Sequence, residues 1–188
     1  MIETTQTVLV GCDIDATWDY AKNFERWASI MPGYQSCEIE DEDNSRWILK
    51  VGVGAMIRTV KVRVHVEKWA GPERVDFTFE LEGDPVTGSG SYLAAPADGG
   101  QTDMTLHVKV AGTGPMAPMW EAMGGPVLPK FAKGFAEQLK GRIEEVNGVT
   151  TSVPPAGQAA KSGGLAALAG WLKSLWKALF HRRSSELR

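Results

Sequence analysis

Apolar and polar residues alternate with a period of two as far as Val110, and beyond Gly114 the spacing changes to three and four. Val60, Val62, Val64 and Val66 alternate with Lys61, Arg63, His65 and Glu67, the clearest such run. Trp47, Leu49, Val51 and Val53 alternate with Arg46, Ile48, Lys50 and Gly52; Phe77, Phe79 and Leu81 with Asp76, Thr78, Glu80 and Glu82; Met104, Leu106, Val108 and Val110 with Thr105, His107 and Lys109. Successive side chains of a strand point to opposite faces, so each run predicts a strand with one dry face. Residues 2–10, rich in Thr and Val, predict a first strand stopped at Gly11, and Cys37 to Glu40 a short one before the acidic turn EDEDNS. Turns at Ala70-Gly71-Pro72-Glu73, Gly83-Asp84-Pro85 and Ala97-Asp98-Gly99-Gly100 connect neighbours as hairpins. Alternation this regular predicts an antiparallel sheet, wet on one face and covered on the other.

Helical spacing occurs in three places. Trp18, Ala21, Phe24, Trp27, Ala28 and Met31 predict two short helices, the first capped by Asp15 and the last ended by the corner Met31-Pro32-Gly33-Tyr34. From Gly114 to Val146 an apolar stripe runs through Met116, Met119, Trp120, Met123, Val127, Phe131, Phe135, Leu139, Ile143 and Val146. Lys130, Lys133, Lys140, Arg142, Glu144 and Glu145 fall mostly on the other side. Gly124, Gly125, Pro126 and Pro129 interrupt the stripe and predict a break, with a firm helix from about Leu128. That helix is the one long amphipathic element able to cover the sheet. The expected fold is therefore α+β: a helix grip over residues 1–147, with a curved antiparallel sheet of about seven strands around a long C-terminal helix and two short helices after the first strand.

After Val146 the composition turns to Gly, Pro, Ser and Ala, and residues 148–164 predict a flexible linker. A last amphipathic segment, 165–183, places Leu165, Leu168, Leu172, Leu175, Trp176 and Leu179 on one stripe, flanked by Trp171 and Phe180. Charge sharpens this picture. Residues 161–188 carry six Lys/Arg against Glu186 alone, a surplus of five, which leaves the rest of the −3 chain at −8. An acidic body argues against nucleic acid as a partner. Trp171, Leu172, Lys173, Leu175, Trp176, Lys177, Leu179, Phe180, Arg182 and Arg183 suit a membrane-surface helix, the basic residues adding about 1 kcal/mol each near anionic lipid. Docking on a partner protein or on its own domain uses the same stripe.

Hydrophobic content of 43% and charged content of 23% are those of a soluble globular chain. Cys12 and Cys37 have neither metal-ligand nor redox spacing, and a chain of 188 residues with two thiols suits a reducing compartment. There is no secretory signal and no apolar window long enough to span a bilayer, so the expected location is cytoplasmic, peripheral to the membrane.

Catalytic constellations are scarce. His65 and His107 fall at outward strand positions, His181 lies in the basic tail, and neither cysteine has a base nearby in sequence. The carboxylates of EDEDNS read as a solvated loop; Gly52, Gly54, Gly88 and Gly90 are spaced as close approaches within strands and not as a phosphate loop; no metal signature is visible. What remains is a set of large apolar residues aimed at one space: Trp47, Phe77, Phe79, Tyr92, Met104, Met116, Met119, Trp120 and Met123, with Phe131 on the same helix stripe. Such a set fits a filled core as well as a pocket. Methionine is unbranched and adaptable, so a cavity is expected beside the Met-rich segment.

The order of elements, with MPGY after the short helices, VGVGAM, the Pro72 turn, GSGSY at Gly88 to Tyr92 and GGQT before the last strand, resembles the START/Bet v 1-like superfamily and, more narrowly, the accessory-protein family of carbon monoxide dehydrogenase. The resemblance covers roughly residues 1–146. It implies a helix-grip fold around a hydrophobic cavity, an accessory role to a molybdenum hydroxylase, anchoring to the inner face of the cytoplasmic membrane and a bound isoprenoid quinone as ligand. By position it implies that Met31 to Tyr34 rim the cavity and that Met116 to Met123 line or gate it. The expected function is non-enzymatic carriage of a hydrophobic small molecule, with no covalent cofactor. Two other readings stand beside it: a polyketide cyclase/dehydratase-like enzyme, which needs inward polar groups such as Tyr92, Arg58 or Thr59, and a tethering adaptor.

Overall fold

A computed structural model of the chain describes residues 1–53, 56–126 and 128–149, excepting the side chains at 51–53, 56–58, 116, 119, 120 and 123. The tip of VGVGAM, Val127, most of the linker and the whole amphipathic tail from Leu165 to Arg183 lie outside the described residues.

The period-2 segments form β1 (Ile2–Val10), β2 (Tyr34–Ile39), β3 (Asn44–Val53), β4 (Met56–Ala70), β5 (Arg74–Leu81), β6 (Val86–Ala97) and β7 (Gln101–Gly112). They make one seven-stranded sheet in the order β1-β7-β6-β5-β4-β3-β2. Every neighbouring pair is antiparallel. All connections but one are hairpins. The exception carries the chain from one sheet edge, β1, to the other, β2, and is made by α1 (Ile14–Ala21) and α2 (Phe24–Ser29). A 3₁₀ turn, Gly114–Met116, leads into α3 (Ala117–Gly124), and α4 (Leu128–Val146) lies along β1 and touches β7. This is the α+β helix grip expected from the sequence.

Several local details differ from expectation, each for a physical reason. Asp13, not Asp15, caps α1: its Oδ1 accepts from Ala16 N at 2.8 Å, while Asp15 sits in the first turn. β2 begins at Tyr34 instead of Cys37, because Gly33, at φ +79°, lays its carbonyl 2.6 Å from Lys50 N and docks the chain on β3 at once. Pro129 does not break the last helix; it and Pro118 are the second residues of α4 and α3, where a missing N–H is tolerated. The break itself lies between Gly124 and Leu128.

The C-terminal end of α4 departs most. Val146, expected on the apolar stripe, is 65% exposed, and Glu144, expected in water, is only 3% exposed. Glu144 accepts from Gly11 N at 2.8 Å, so its carboxylate closes the β1–α1 corner. Beyond it, Gly148 N reaches Glu145 O and Val149 N reaches Glu144 O, with Gly148 at φ +70°, the paired bonds of a Schellman cap. Val149 packs on the core, so the compact body runs two residues past 147.

Candidate functional site

The two faces of the sheet separate chemistry from packing. Inward positions follow from the ladder, because residues directly opposite each other share a face. They are Ile2, Thr4, Gln6, Val8 and Val10 on β1, opposite Val110, Val108, Leu106, Met104 and Thr102 on β7. Next come Gly88, Gly90, Tyr92 and Ala94 on β6, and Val75, Phe77, Phe79 and Leu81 on β5.

Burial along these inward rows changes from one end of the grip to the other. On β7, Thr102, Met104 and Leu106 are buried while Val108 and Val110 are half-buried. On β5, Val75 is buried while Phe77, Phe79 and Leu81 are half-buried. On β1, Val10 is buried and Val8, Gln6, Thr4 and Ile2 are half-buried. Along α4, Ala136, Leu139 and Ile143 are fully buried, whereas Phe131 and Phe135 are not. The grip is thus packed solid at one end and looser at the other.

The solid end has a floor of aromatic rings. Trp27 of α2 has its ring centroid 5.9 Å from each of Phe77, Tyr92 and Phe135, tying α2 to β5, β6 and α4. Of the residues singled out for the ligand, Tyr92 and Met104 are 0% exposed and Trp47 6%, so these three belong to the packed cluster. Phe77, Phe79, Phe131 and Met31 are half-buried and stand at the looser end or its corner. The side chains of Met116, Met119, Trp120 and Met123 lie outside the described residues. Gly88 and Gly90 explain how two phenyl rings fit on this wall: a Cβ at Gly88 would stand 2.2 Å from Phe79 Cζ, and one at Gly90 2.4 Å from Phe77 Cζ. The rings lie across strand β6 where it has no side chains.

Titratable groups occupy the opposite face. Arg46 pairs with Glu38, Glu40 and Glu82, and Arg63 with Glu80 and Glu82. His65 Nδ1 is 2.9 Å from Asn44 Oδ1, and His107 is 3.7 Å from Glu3, both on outward positions. The thiols are poor nucleophiles. Burial, with Glu25 nearby, pushes Cys37 up to about 11, and burial with Glu144 and Asp13 raises Cys12. Among the groups an enzyme would need inside, Thr59 is exposed opposite Lys50 on the outer face. The Arg58 side chain lies outside the described residues. Tyr92 is inward, but burial raises its phenol and its Oη has no hydrogen-bond partner, so it cannot serve as a base near neutrality. Among the described residues, no three His, Cys, Asp or Glu side chains converge as metal ligands.

Sequence reasoning passed over Gln6 and Thr4, the two polar residues on the looser part of the inner wall. Their parity with Ile2, Val8 and Val10 was the available signal.

Residues 1–144 match a family profile described as polyketide cyclase / dehydrase and lipid transport. The chain belongs to that family. Solved structures with the same fold include a conserved protein from Geobacillus kaustophilus, 18% identical, covering 77% of this chain and 96% of its own, with a TM-score of 0.65. A START superfamily protein from Mycobacterium smegmatis is 16% identical over 77% of this chain and 98% of its own, with a TM-score of 0.57. Ara h 8.0201 is 15% identical over 76% of this chain and 97% of its own, with a TM-score of 0.57. No curated protein matches the chain. This polyketide cyclase / dehydrase and lipid transport family member therefore has the START/Bet v 1-like fold, in which the inner wall described above faces the closing helix.

Proposed function

We propose that this chain carries a long apolar molecule without transforming it. The observation behind this reading is the one-ended loss of burial along the inner rows of β1, β5, β7 and α4, which leaves oily side chains partly accessible on the face where an ordinary core would seal them. The placement of the described ion pairs and histidines on the outer face agrees with a binder more than with a catalyst. Prenyl chains suit such a wall: burial contributes about 0.8 kcal/mol per methylene, against the cost of immobilising the guest. The resemblance noted in the sequence makes the guest an isoprenoid quinone. It makes the partner a molybdenum hydroxylase such as carbon monoxide dehydrogenase, met at the inner face of the cytoplasmic membrane through the helix of residues 165–183. Support for the membrane part rests on the Leu/Trp stripe and basic residues of that segment.

Mass spectrometry of lipids extracted from the purified full-length protein tests the reading. Recovery of a quinone or another prenyl lipid in stoichiometric yield is expected; protein that carries no lipid and takes up no added decylubiquinone would end it. A cyclase reading, suggested by the family's description, puts weight on the buried, unpartnered Tyr92 hydroxyl. It predicts that Tyr92→Phe abolishes turnover of a poly-β-ketone, whereas carriage predicts that this variant binds its guest as before.

A further inference from the structure

The apolar rule of the inner wall is broken at two successive inward positions of β1. Thr4 stands opposite Val108 and Gln6 opposite Leu106, between the apolar pairs Ile2–Val110 and Val8–Met104. Gln6 Nε2 donates to Thr4 Oγ1 at 3.3 Å, and neither side chain has another hydrogen-bond partner among the described residues. Other inward polar groups are occupied or sealed. Thr102 Oγ1 donates to Cys12 O at 2.8 Å, Ser45 Oγ accepts from Trp47 Nε1 at 3.0 Å, and Tyr92 is fully buried in the aromatic floor.

A carboxamide has two N–H donors and one oxygen acceptor. With one N–H on Thr4, Gln6 keeps an N–H and its Oε1, and the Thr4 hydroxyl keeps its own proton. Both residues are half-buried, at the end of the grip where burial is incomplete. A guest without a polar end would dehydrate this pair and leave it unpaired, which is costly in an oily wall. An anionic guest fares no better. The inward positions of β1, β5, β6 and β7 hold no Lys or Arg, so a buried carboxylate would meet no counter-charge there.

We infer that Gln6, supported by Thr4, is the polar recognition point of the crevice, and that its occupant is a neutral apolar molecule with a carbonyl or hydroxyl oxygen at one end. Fatty acids and plain hydrocarbons are the classes it disfavours. This rests on the carriage reading and narrows it to a head-group chemistry.

The test is displacement of the neutral fluorescent probe N-phenyl-1-naphthylamine from full-length protein by decylubiquinone, 1-dodecanol, dodecane and laurate. Wild type should favour decylubiquinone and dodecanol over dodecane and laurate. Gln6→Leu should weaken decylubiquinone and dodecanol about tenfold, one hydrogen bond's worth, while leaving dodecane and the probe unchanged or tighter. Thr4→Val, nearly isosteric, should give a smaller loss in the same two ligands and guards against a folding artefact. Equal affinities in wild type and Gln6→Leu, or an equal loss across all four competitors, would overturn the inference and leave carriage standing. If neither the probe nor any competitor binds wild type, carriage falls and this inference falls with it.

Discussion

Gly90 shows how one missing Cβ sets the shape of the inner wall. A methyl group there would meet Phe77 Cζ at 2.4 Å and His107 O at 3.0 Å, so Gly90→Ala must displace a ring that also packs on Trp27. It should cost about 1–3 kcal/mol by urea denaturation, and Phe77→Leu in the same chain should recover part of that loss because the smaller side chain yields space. Asp76 acts on the outer face through charge. Its carboxyl is held below the usual carboxylate range by the hydrogen bond from Arg74, with Ser91 Oγ, 2.7 Å away, adding to it against the opposing effect of desolvation. A depressed folded pKa gives stability that is present above the unfolded value and lost as pH falls through the folded one. Asp76→Asn should therefore lower the melting temperature at pH 7, with the gap to wild type closing below about pH 4.

Elements here are fixed by their ends as much as by their stripes. Asp13→Ala should cost about 1 kcal/mol through loss of the cap on α1, while Asp15→Ala should cost clearly less, since it loses only a favourable charge near the helix end. Glu144 holds α4 to the β1–α1 corner. Glu144→Leu would leave Gly11 N without its acceptor and should cost about 1–3 kcal/mol, most of it regained in Glu144→Gln, which keeps a carbonyl oxygen. Period-2 alternation made strands β4, β5 and β7 legible from residue identity, as did the Gly and Pro turns between them. The Glu144 contact was not legible, because a carboxylate near a helix C-terminus reads as a solvated residue until the fold brings Gly11 beneath it. The inward parity of Gln6 was readable from Ile2, Val8 and Val10, but a Thr-rich strand looks polar throughout when its faces are not separated. The packed state of Tyr92, Met104 and Trp47 depends on how far α2 penetrates, which no local pattern states.

For the whole molecule, the grip and the tail are proposed to divide the work between holding a guest and finding a surface. Deleting residues 165–188 should abolish flotation with anionic liposomes while leaving decylubiquinone binding within about twofold of full length; a truncated protein that floats unchanged would remove the anchor from the proposal. The first strand has a further effect on how the protein is made. Ile2 pairs with Val110, and α4, which ends at Val146, lies along the same strand. On the ribosome, β1 must therefore wait through roughly a hundred residues, about 5–20 s of synthesis, before either neighbour exists. During that interval its Val8, Leu9 and Val10 are bare, so the nascent chain is open to chaperone capture until β7 has cleared the exit tunnel.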